Sequence, residues 1–412
     1  MKPNCPFHAY FILIGLISGC AFNTTTVEYT DLVNAQAEIR EQELMDVGIE
    51  IFDTHETDAD AEEKALLPEI RKSESRFFPN HLKSTLQRSG HWGAVRVIPD
   101  NTAAMDVIVK GQIIESDGEM LVLGITASDA TGTTWFQKTY EAEAEPLSYY
   151  ENRKHEKDVF QDLYNTIAND LIEARASLTS SQIQEIRQVS QIKFAANLAP
   201  DSFGNYLRKT ENGIYQIDHL PADSDPMMER VLSIRERENM LVDTVNEHYD
   251  LFYDEMWDSY ENWRKAHREE VLALREVEAS VRNRYLLGGA AILGAIALEV
   301  LVGGNTSTLR NLMALGGVAA IKSGYDKSAD TQIHEDAIRE LDNSFEAEVA
   351  PIIVEIEGRT VKLTGSAEQQ FQNWRRILKE IYAAETGFAA IPMENTGPDI
   401  NDPTGVDLPQ QR

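Results

Sequence analysis

The sequence predicts an α+β protein: an N-terminal α/β domain of order β-α-β-β-β-β-α, then a mainly α-helical domain with a long helix and a Gly/Ala-rich helical hairpin. Three observations predict it. Between residues 47 and 142, short runs alternate apolar and polar residues and are separated by turn residues such as Asp117-Gly118 and Thr131-Gly132. From Ser180 onward the apolar spacing becomes helical, and no Gly or Pro interrupts the 61 residues between Pro226 and Gly288. The chain has 412 residues, 42% of them hydrophobic and 26% charged, which is globular composition with room for two or three cores.

Residues 1–19 read as an export signal. Lys2 supplies a weak positive start, Ala9–Ile17 is an apolar run too short to span a bilayer, and the small residues Ser18 and Gly19 precede Cys20. The pentapeptide Leu16-Ile17-Ser18-Gly19-Cys20 resembles the bacterial lipobox. That resemblance implies cleavage between Gly19 and Cys20 by signal peptidase II, with acyl chains of the palmitate type on Cys20 as lipid anchor. Several acyl chains on one residue give stable attachment, where one short chain is reversible. Ala21 stands where Asp would be the usual inner-membrane retention signal, so the resemblance favours the outer membrane and a periplasm-facing protein. The competing reading makes Cys20 an ordinary core residue behind a standard secretory signal. Cys5 and Cys20 are the only cysteines, which excludes a tetrathiolate zinc site, a CxxC pair and any disulfide within the mature chain.

Residues 20–44 are expected to form a tether and a short helix: Phe22–Thr30 is polar and Thr-rich, and Asp31–Leu44 has helix-forming composition. The α/β domain is placed at 45–178. Val47–Asp53 alternates as a strand, and an acidic loop, Thr54–Lys64, follows it. Glu69–Arg88 carries Ile70, Phe77, Phe78, Leu82 and Leu86 at helical spacing, with Pro79 expected to kink or restart the helix. Ala94–Ile98, Val107–Ile114, Met120–Ser128 and Thr133–Ala142 are the remaining strands, and the glycines of the last two turns supply the positive φ that hairpins need. A helix over Glu156–Leu178, with Val159, Phe160, Leu163, Ile167 and Leu171 on one face, covers the sheet.

That order, together with Asp106-Val-Ile-Val-Lys-Gly111, the Asp117-Gly118 turn and Asp129-Ala-Thr-Gly-Thr-Thr-Trp135, resembles a superfamily of bacterial envelope lipoproteins. It includes the curli secretion-channel protein, the Pel polysaccharide-export lipoprotein and the lipoprotein activators of penicillin-binding proteins. The resemblance spans residues 45–178 and implies a non-enzymatic scaffold, pore or activator; it transfers no partner contact residue by residue.

The second domain is placed at 179–390. Helices are expected over Ser181–Ala195 and Ser202–Thr210, then a loop as far as Pro226. As one helix, the 61-residue run would extend about 90 Å at 1.5 Å per residue; the other reading folds it back on its own domain. Its apolar seam runs through Val245, Tyr249, Phe252, Met256, Tyr260, Trp263, His267, Val271 and Leu274. The aromatic set Tyr253, Trp257, Tyr260 and Trp263 offers either a partner surface, since aromatic faces stack on sugars and peptides, or a packed seam.

Leu286–Val302 and Leu309–Ile321, joined by Gly303-Gly304-Asn305, form the expected hairpin 286–321. Gly288, Gly289, Gly294, Gly316 and Gly317 would let two backbones approach closely, as membrane helices do. The hairpin is thus a candidate membrane or oligomer contact, or else a buried element, since Glu299 is costly in a bilayer. Gln332–Glu348 reads as helix, Ile352–Gly358 and Val361–Gly365 as a short hairpin, and Ala367–Glu385 as a last helix. The Pro/Asn/Asp-rich tail 391–412 reads as disordered.

The chemistry-bearing residues form no catalytic pattern. With 38 Lys+Arg against 68 Asp+Glu the net charge is −30, which argues against nucleic acid, because binding a phosphate backbone takes clustered cations. The nine His include no HExxH pair, no GxSxG elbow is present, and Gly317–Ser323 has Ile321 where a phosphate loop needs Gly. The expectation is therefore no enzyme, no cofactor and no metal. The chain reads as a membrane-anchored structural or accessory factor in envelope assembly or export, with an envelope protein as partner. The alternative is a homo-oligomeric secretion-channel subunit that uses 286–321 as its membrane or oligomerisation element.

Overall fold

The computed structural model describes residues 23–54, 68–98, 105–145, 149, 157–222, 224–302, 336–340, 343, 352–356, 359–363 and 365–386, with the side chains of 23, 68–69, 270, 273–274, 276–302, 353–356, 359–360 and 368 not among them. The fold is α+β, a mixed six-stranded sheet with helices. Its strands are β1 (Asn23–Thr26), β2 (Val47–Glu50), β3 (Val95–Ile98), β4 (Val107–Ser116), β5 (Met120–Asp129) and β6 (Thr134–Glu143). They lie in the order β1-β6-β5-β4-β2-β3. The strands β4, β5 and β6 form an antiparallel meander; β1 joins β6 in parallel, and β2 pairs in parallel with both β4 and β3.

Helix α1 (Pro68–Ser89) connects β2 to β3, and α2 (Gln161–Ala176) follows the meander. Alternate residues Val107, Val109 and Ile113 of β4 share one core with Phe77, Phe78, Leu82 and Leu86 of α1 and Leu163, Ile167 and Leu171 of α2. Lys110 and Ile114 point to the other, open face. The β-α-β-β-β-β-α order is therefore present as expected.

Pro79 does not restart α1, which runs as one helix from Pro68 to Ser89. A proline cannot donate to the carbonyl four residues before it. Here the carbonyl so released, that of Ser75, accepts the Phe52 N–H at 3.0 Å, so the vacancy in the helix ties down the end of β2.

Two expectations about residues 20–44 are corrected. The Thr-rich stretch is an edge strand over 23–26, pairing Asn23 with Lys138 through to Thr26 with Glu141. β-branched Thr suits a pleated surface, and pairing with β6 selects the strand. Beyond it, only a single 3₁₀ turn forms, Glu41–Glu43. Side-chain amides of α2 take the backbone groups that a helix there would need: Asn165 and Asn169 donate to the Thr30 and Asp31 carbonyls at 2.8 and 2.9 Å, and Asn169 accepts from Val33 N–H at 2.9 Å.

Helix α3 (Ser180–Leu198) starts at a capping box made by Thr179 and Gln182. The helix expected over Ser202–Thr210 is instead one turn, α4 (Pro200–Phe203), followed by a hairpin of β7 (Leu207–Lys209) and β8 (Tyr215–Ile217). Asn212-Gly213 makes that turn, with Gly213 at φ +84°.

Helix α5 (Pro226–Val302) is one unbroken helix of 77 residues, about 115 Å long at 1.5 Å per residue. The first arm of the expected hairpin is thus the continuation of the long helix. Val231, Ile234, Leu241 and Val242 pack with Phe194, Met105, and Phe371 and Trp374 of α6 (Ala367–Thr386). Further along, the Asn246 side chain accepts from Val97 N–H at 2.8 Å and donates to Val97 O at 2.9 Å, closing the open edge of β3. Arg264 then reaches the Gly118 turn, and Arg275 pairs with Asp117 at 2.8 Å. Helix α5 therefore crosses the sheet domain from its Met105 end to its Gly118 end. The hairpin of β9 (Ile352–Ile356) and β10 (Arg359–Leu363) and the helix α6 that follows it agree with expectation, and 336–340 is helical within the stretch expected to be so. The signal segment and the tail 391–412 lie outside the described residues.

Candidate functional site

The aromatic set on α5 is the first candidate, and the structure corrects it. Tyr253, Trp257, Tyr260 and Trp263 are 6%, 2%, 0% and 3% exposed, so they form no partner surface. Phe77 of α1 fills the space they line: its ring lies 4.6 Å from Tyr253, 4.7 Å from Tyr260 and 5.9 Å from Trp257. The spacing that marked a seam was right; what covers the seam comes from a helix some 180 residues earlier, about which local periodicity carries no information.

Several polar groups set into this joint are paired within it, while Trp263 Nε1 and Tyr164 Oη are buried without a hydrogen-bond partner among the described residues. Tyr260 Oη and Ser116 Oγ both donate to Glu74 Oε1 at 2.6 Å, and Arg71 Nη1 donates to Oε2 at 2.6 Å. Arg264 makes a two-pronged pair with Asp158, at 2.7 and 3.2 Å, and its guanidinium lies 4.6 Å from the Tyr260 ring centre. Both partners are essentially inaccessible. Burial is the largest influence on Asp158 and opposes its ionisation, but Arg264 together with the other groups around it, the Phe160 N–H among them, holds the carboxyl below its usual range. His81 is held neutral: burial pushes its pKa down to about 4. Its Nε2–H donates to Gln161 Oε1 at 2.9 Å, leaving Nδ1 to accept from Tyr253 Oη–H at 2.5 Å. The arrangement is that of a joint, in which Glu74, Asp158 and Arg264 find their partners within the protein.

The opposite end of the sheet holds a cleft of about 430 Å³, between the β5–β6 turn, the end of α2, the start of α3 and the β7–β8 hairpin. Trp135, Thr133, Leu178, Glu185 and Tyr215 are among its walls. Asp129 builds the turn: Oδ1 accepts from Thr131 N–H at 2.8 Å, and Oδ2 accepts from the Trp135 indole at 2.9 Å. Tyr215 N–H donates to Thr131 O at 2.7 Å and so docks the hairpin onto the turn. Lys193 and Lys209 sit over the Tyr215 ring, 4.6 and 5.4 Å from its centre. Burial, then Lys209, lowers the Lys193 pKa. Among the described residues neither lysine makes an ion pair with a carboxylate. Among them also, no group of three or more His, Cys, Asp or Glu is placed to hold a metal ion.

The cleft was missed from sequence because one wall is β8, which was read as loop; the Asn212-Gly213 pair was the available signal. Of the other predicted positions, Gly19, Cys20, Gly316 and Gly317 lie outside the described residues. Gly288, Gly289 and Gly294 stand in the helical backbone of α5. Among the residues whose side chains are described, no helix is long and apolar enough to cross a membrane; 286–302 falls beyond them. No protein family matches this chain, and no curated protein matches it.

Proposed function

We propose that this chain is a bacterial outer-membrane lipoprotein, held by acyl chains on Cys20 and facing the periplasm, that acts as a structural or accessory factor in cell-envelope assembly or export. The observation that supports it most is the mounting of α5. From Val231 to Arg264 the helix is embedded in the cores and locked by a buried ion pair, Arg275 still pairs with Asp117, and 27 residues more follow, about 40 Å of helix. Such a lever presents its far end, with Gly288, Gly289 and Gly294, to an envelope partner at a fixed distance from the anchored domain.

The test is the Cys20→Ser protein, followed by carbonate extraction of membranes and by light scattering. The expected result is release from the membrane fraction as a monomer. Retention after carbonate, or a large defined ring, would overturn the scaffold reading in favour of a channel subunit that inserts or assembles through 286–321.

A further inference from the structure

Asn23 is the first residue of β1, and it is already paired with Lys138 of β6. Only Ala21 and Phe22 separate it from Cys20. A chain advances at most about 3.5 Å per residue, so Cys20 lies within about 10 Å of the sheet. Because β1 runs parallel to β6, it points away from the end where β6 begins, with Asn23 standing opposite Lys138, midway along β6. The end where β6 begins is the one with the Gly132 turn, the β7–β8 hairpin and the cleft. With three residues between Cys20 and the middle of β6, the leash holds the β1 edge near the surface, and the direction of β1 favours the Gly132 end over the Gly118 end.

The chemistry of this end agrees. In a chain of net charge −30 it carries Lys193 and Lys209 next to the Tyr215 ring, neither in an ion pair with a carboxylate among the described residues; Lys193 also donates to Ala130 O at 3.2 Å, and Asp129 and Glu185 line the same cleft. Thr133, Thr134 and Lys209 are exposed, and Trp135 lies half-buried beside them. Cations next to amphipathic aromatic rings suit the head-group layer of a bilayer, where the charge meets phosphate and the ring meets the acyl boundary.

Resting on the proposed acylation of Cys20, we infer that the Gly132 end of the sheet, with the β7–β8 hairpin, docks on the anionic phospholipid surface of the membrane that holds the anchor. The orientation of α5 then follows. The ten residues of β5 place the Gly118 end roughly 30 Å from the Gly132 end. Helix α5 passes the sheet toward the Gly118 end, so it carries 286–302 away from the anchoring bilayer rather than into it.

The mature chain has no cysteine beyond Cys20, whose sulfur the acyl thioether blocks, so a single introduced thiol reports cleanly. Acylated full-length Thr133→Cys and Glu269→Cys proteins would be labelled with a fluorophore and reconstituted in phosphatidylethanolamine vesicles containing phosphatidylglycerol and a head-group quencher. Gln216→Cys serves as a second reporter of the same end. The expected result is quenching several-fold stronger at 133 and 216 than at 269, reduced when Lys193 and Lys209 are both changed to Gln. Equal or reversed quenching on protein that still floats with the vesicles overturns the orientation and leaves the anchor standing. Absence of acyl mass on Cys20, with no flotation, overturns the anchor and the inference with it. Shielding of the Thr133→Cys thiol from an impermeant maleimide in native membranes but not in vesicles assigns this end to a protein, which also overturns the lipid contact.

Discussion

The two turns of the β4–β5–β6 meander have nearly the same local chemistry and opposite surroundings. Each has a glycine at positive φ, +81° at Gly118 and +92° at Gly132. Each has an aspartate that accepts backbone N–H groups of its own turn, Asp117 from Glu119 and Met120, Asp129 from Thr131. Yet Gly118 is pressed against the Arg264 carbonyl of α5, beneath the Arg264–Asp158 pair, while Gly132 meets only the β7–β8 hairpin and the cleft. The difference teaches that a turn is specified locally but its use is decided by what packs on it. One end became a joint; the other stayed open.

The comparison is broken most severely at Arg264. Arg264→Ala leaves the Asp158 carboxylate buried without its partner and is expected to lower unfolding free energy by about 3 to 5 kcal/mol. Lys209→Ala at the open end should change it by less than about 0.5 kcal/mol, because that side chain is exposed. Urea unfolding of the two variants measures both; equal losses would show that the ends do not differ as their contacts indicate. Replacing Arg264 and Asp158 together by Met and Leu should restore most of the loss, since the penalty is an unmatched charge rather than a lost attraction.

Acidification should also act at the joint. An unfolded histidine takes up its proton near pH 6.5, whereas His81 in the folded protein does so only near 4. Between those values the unfolded state binds more protons, so the stabilising contribution, full above pH 6.5, is lost as pH falls to about 4, by on the order of 3 kcal/mol. Unfolding free energy measured across this range should slope upward with pH in the native protein and lose that slope in His81→Leu. Asp158, whose pKa is lowered, acts in the same direction, but its contribution is lost only from about pH 5 downward, as an unfolded aspartate takes up its proton near 3.9, so the His81 slope is read above pH 5.

How much of this was legible depended on range. The order β-α-β-β-β-β-α could be read because alternation and Gly turns are local signals, and both meander turns fall where Asp117-Gly118 and Thr131-Gly132 place them. The strand β1 could not, since a Thr-rich stretch becomes a strand only by pairing with Lys138 to Glu141, more than 100 residues away. The same holds for 31–44, where Asn165 and Asn169 override helix-forming composition. For the candidate site the limit was sharper. The seam of Tyr253, Trp257, Tyr260 and Trp263 was visible in the spacing, but Phe77, which buries it, belongs to a distant helix. The cleft needs four elements brought together; the turn before Trp135 and the two helices are legible locally, but the β7–β8 hairpin is not, and without it the cleft has no outer wall.

The finest test exchanges the two glycines. A side chain at positive φ costs about 1 to 2 kcal/mol wherever it stands, so Gly118→Ala and Gly132→Ala share that penalty. They differ in what the new methyl meets. At Gly118 it would lie 2.4 Å from the Arg264 carbonyl oxygen, main chain of a helix that is locked on both sides. At Gly132 it would lie 3.0 Å from the Gly213 carbonyl oxygen, at the tip of a two-stranded hairpin that can yield by a few tenths of an ångström. Gly118→Ala should therefore be the more destabilising by roughly 1 to 2 kcal/mol, within the range for overpacking at a site that cannot relax. Equal effects in paired thermal or urea unfolding would mean that α5 shifts as easily as the hairpin, and the joint would then be no firmer than the open end.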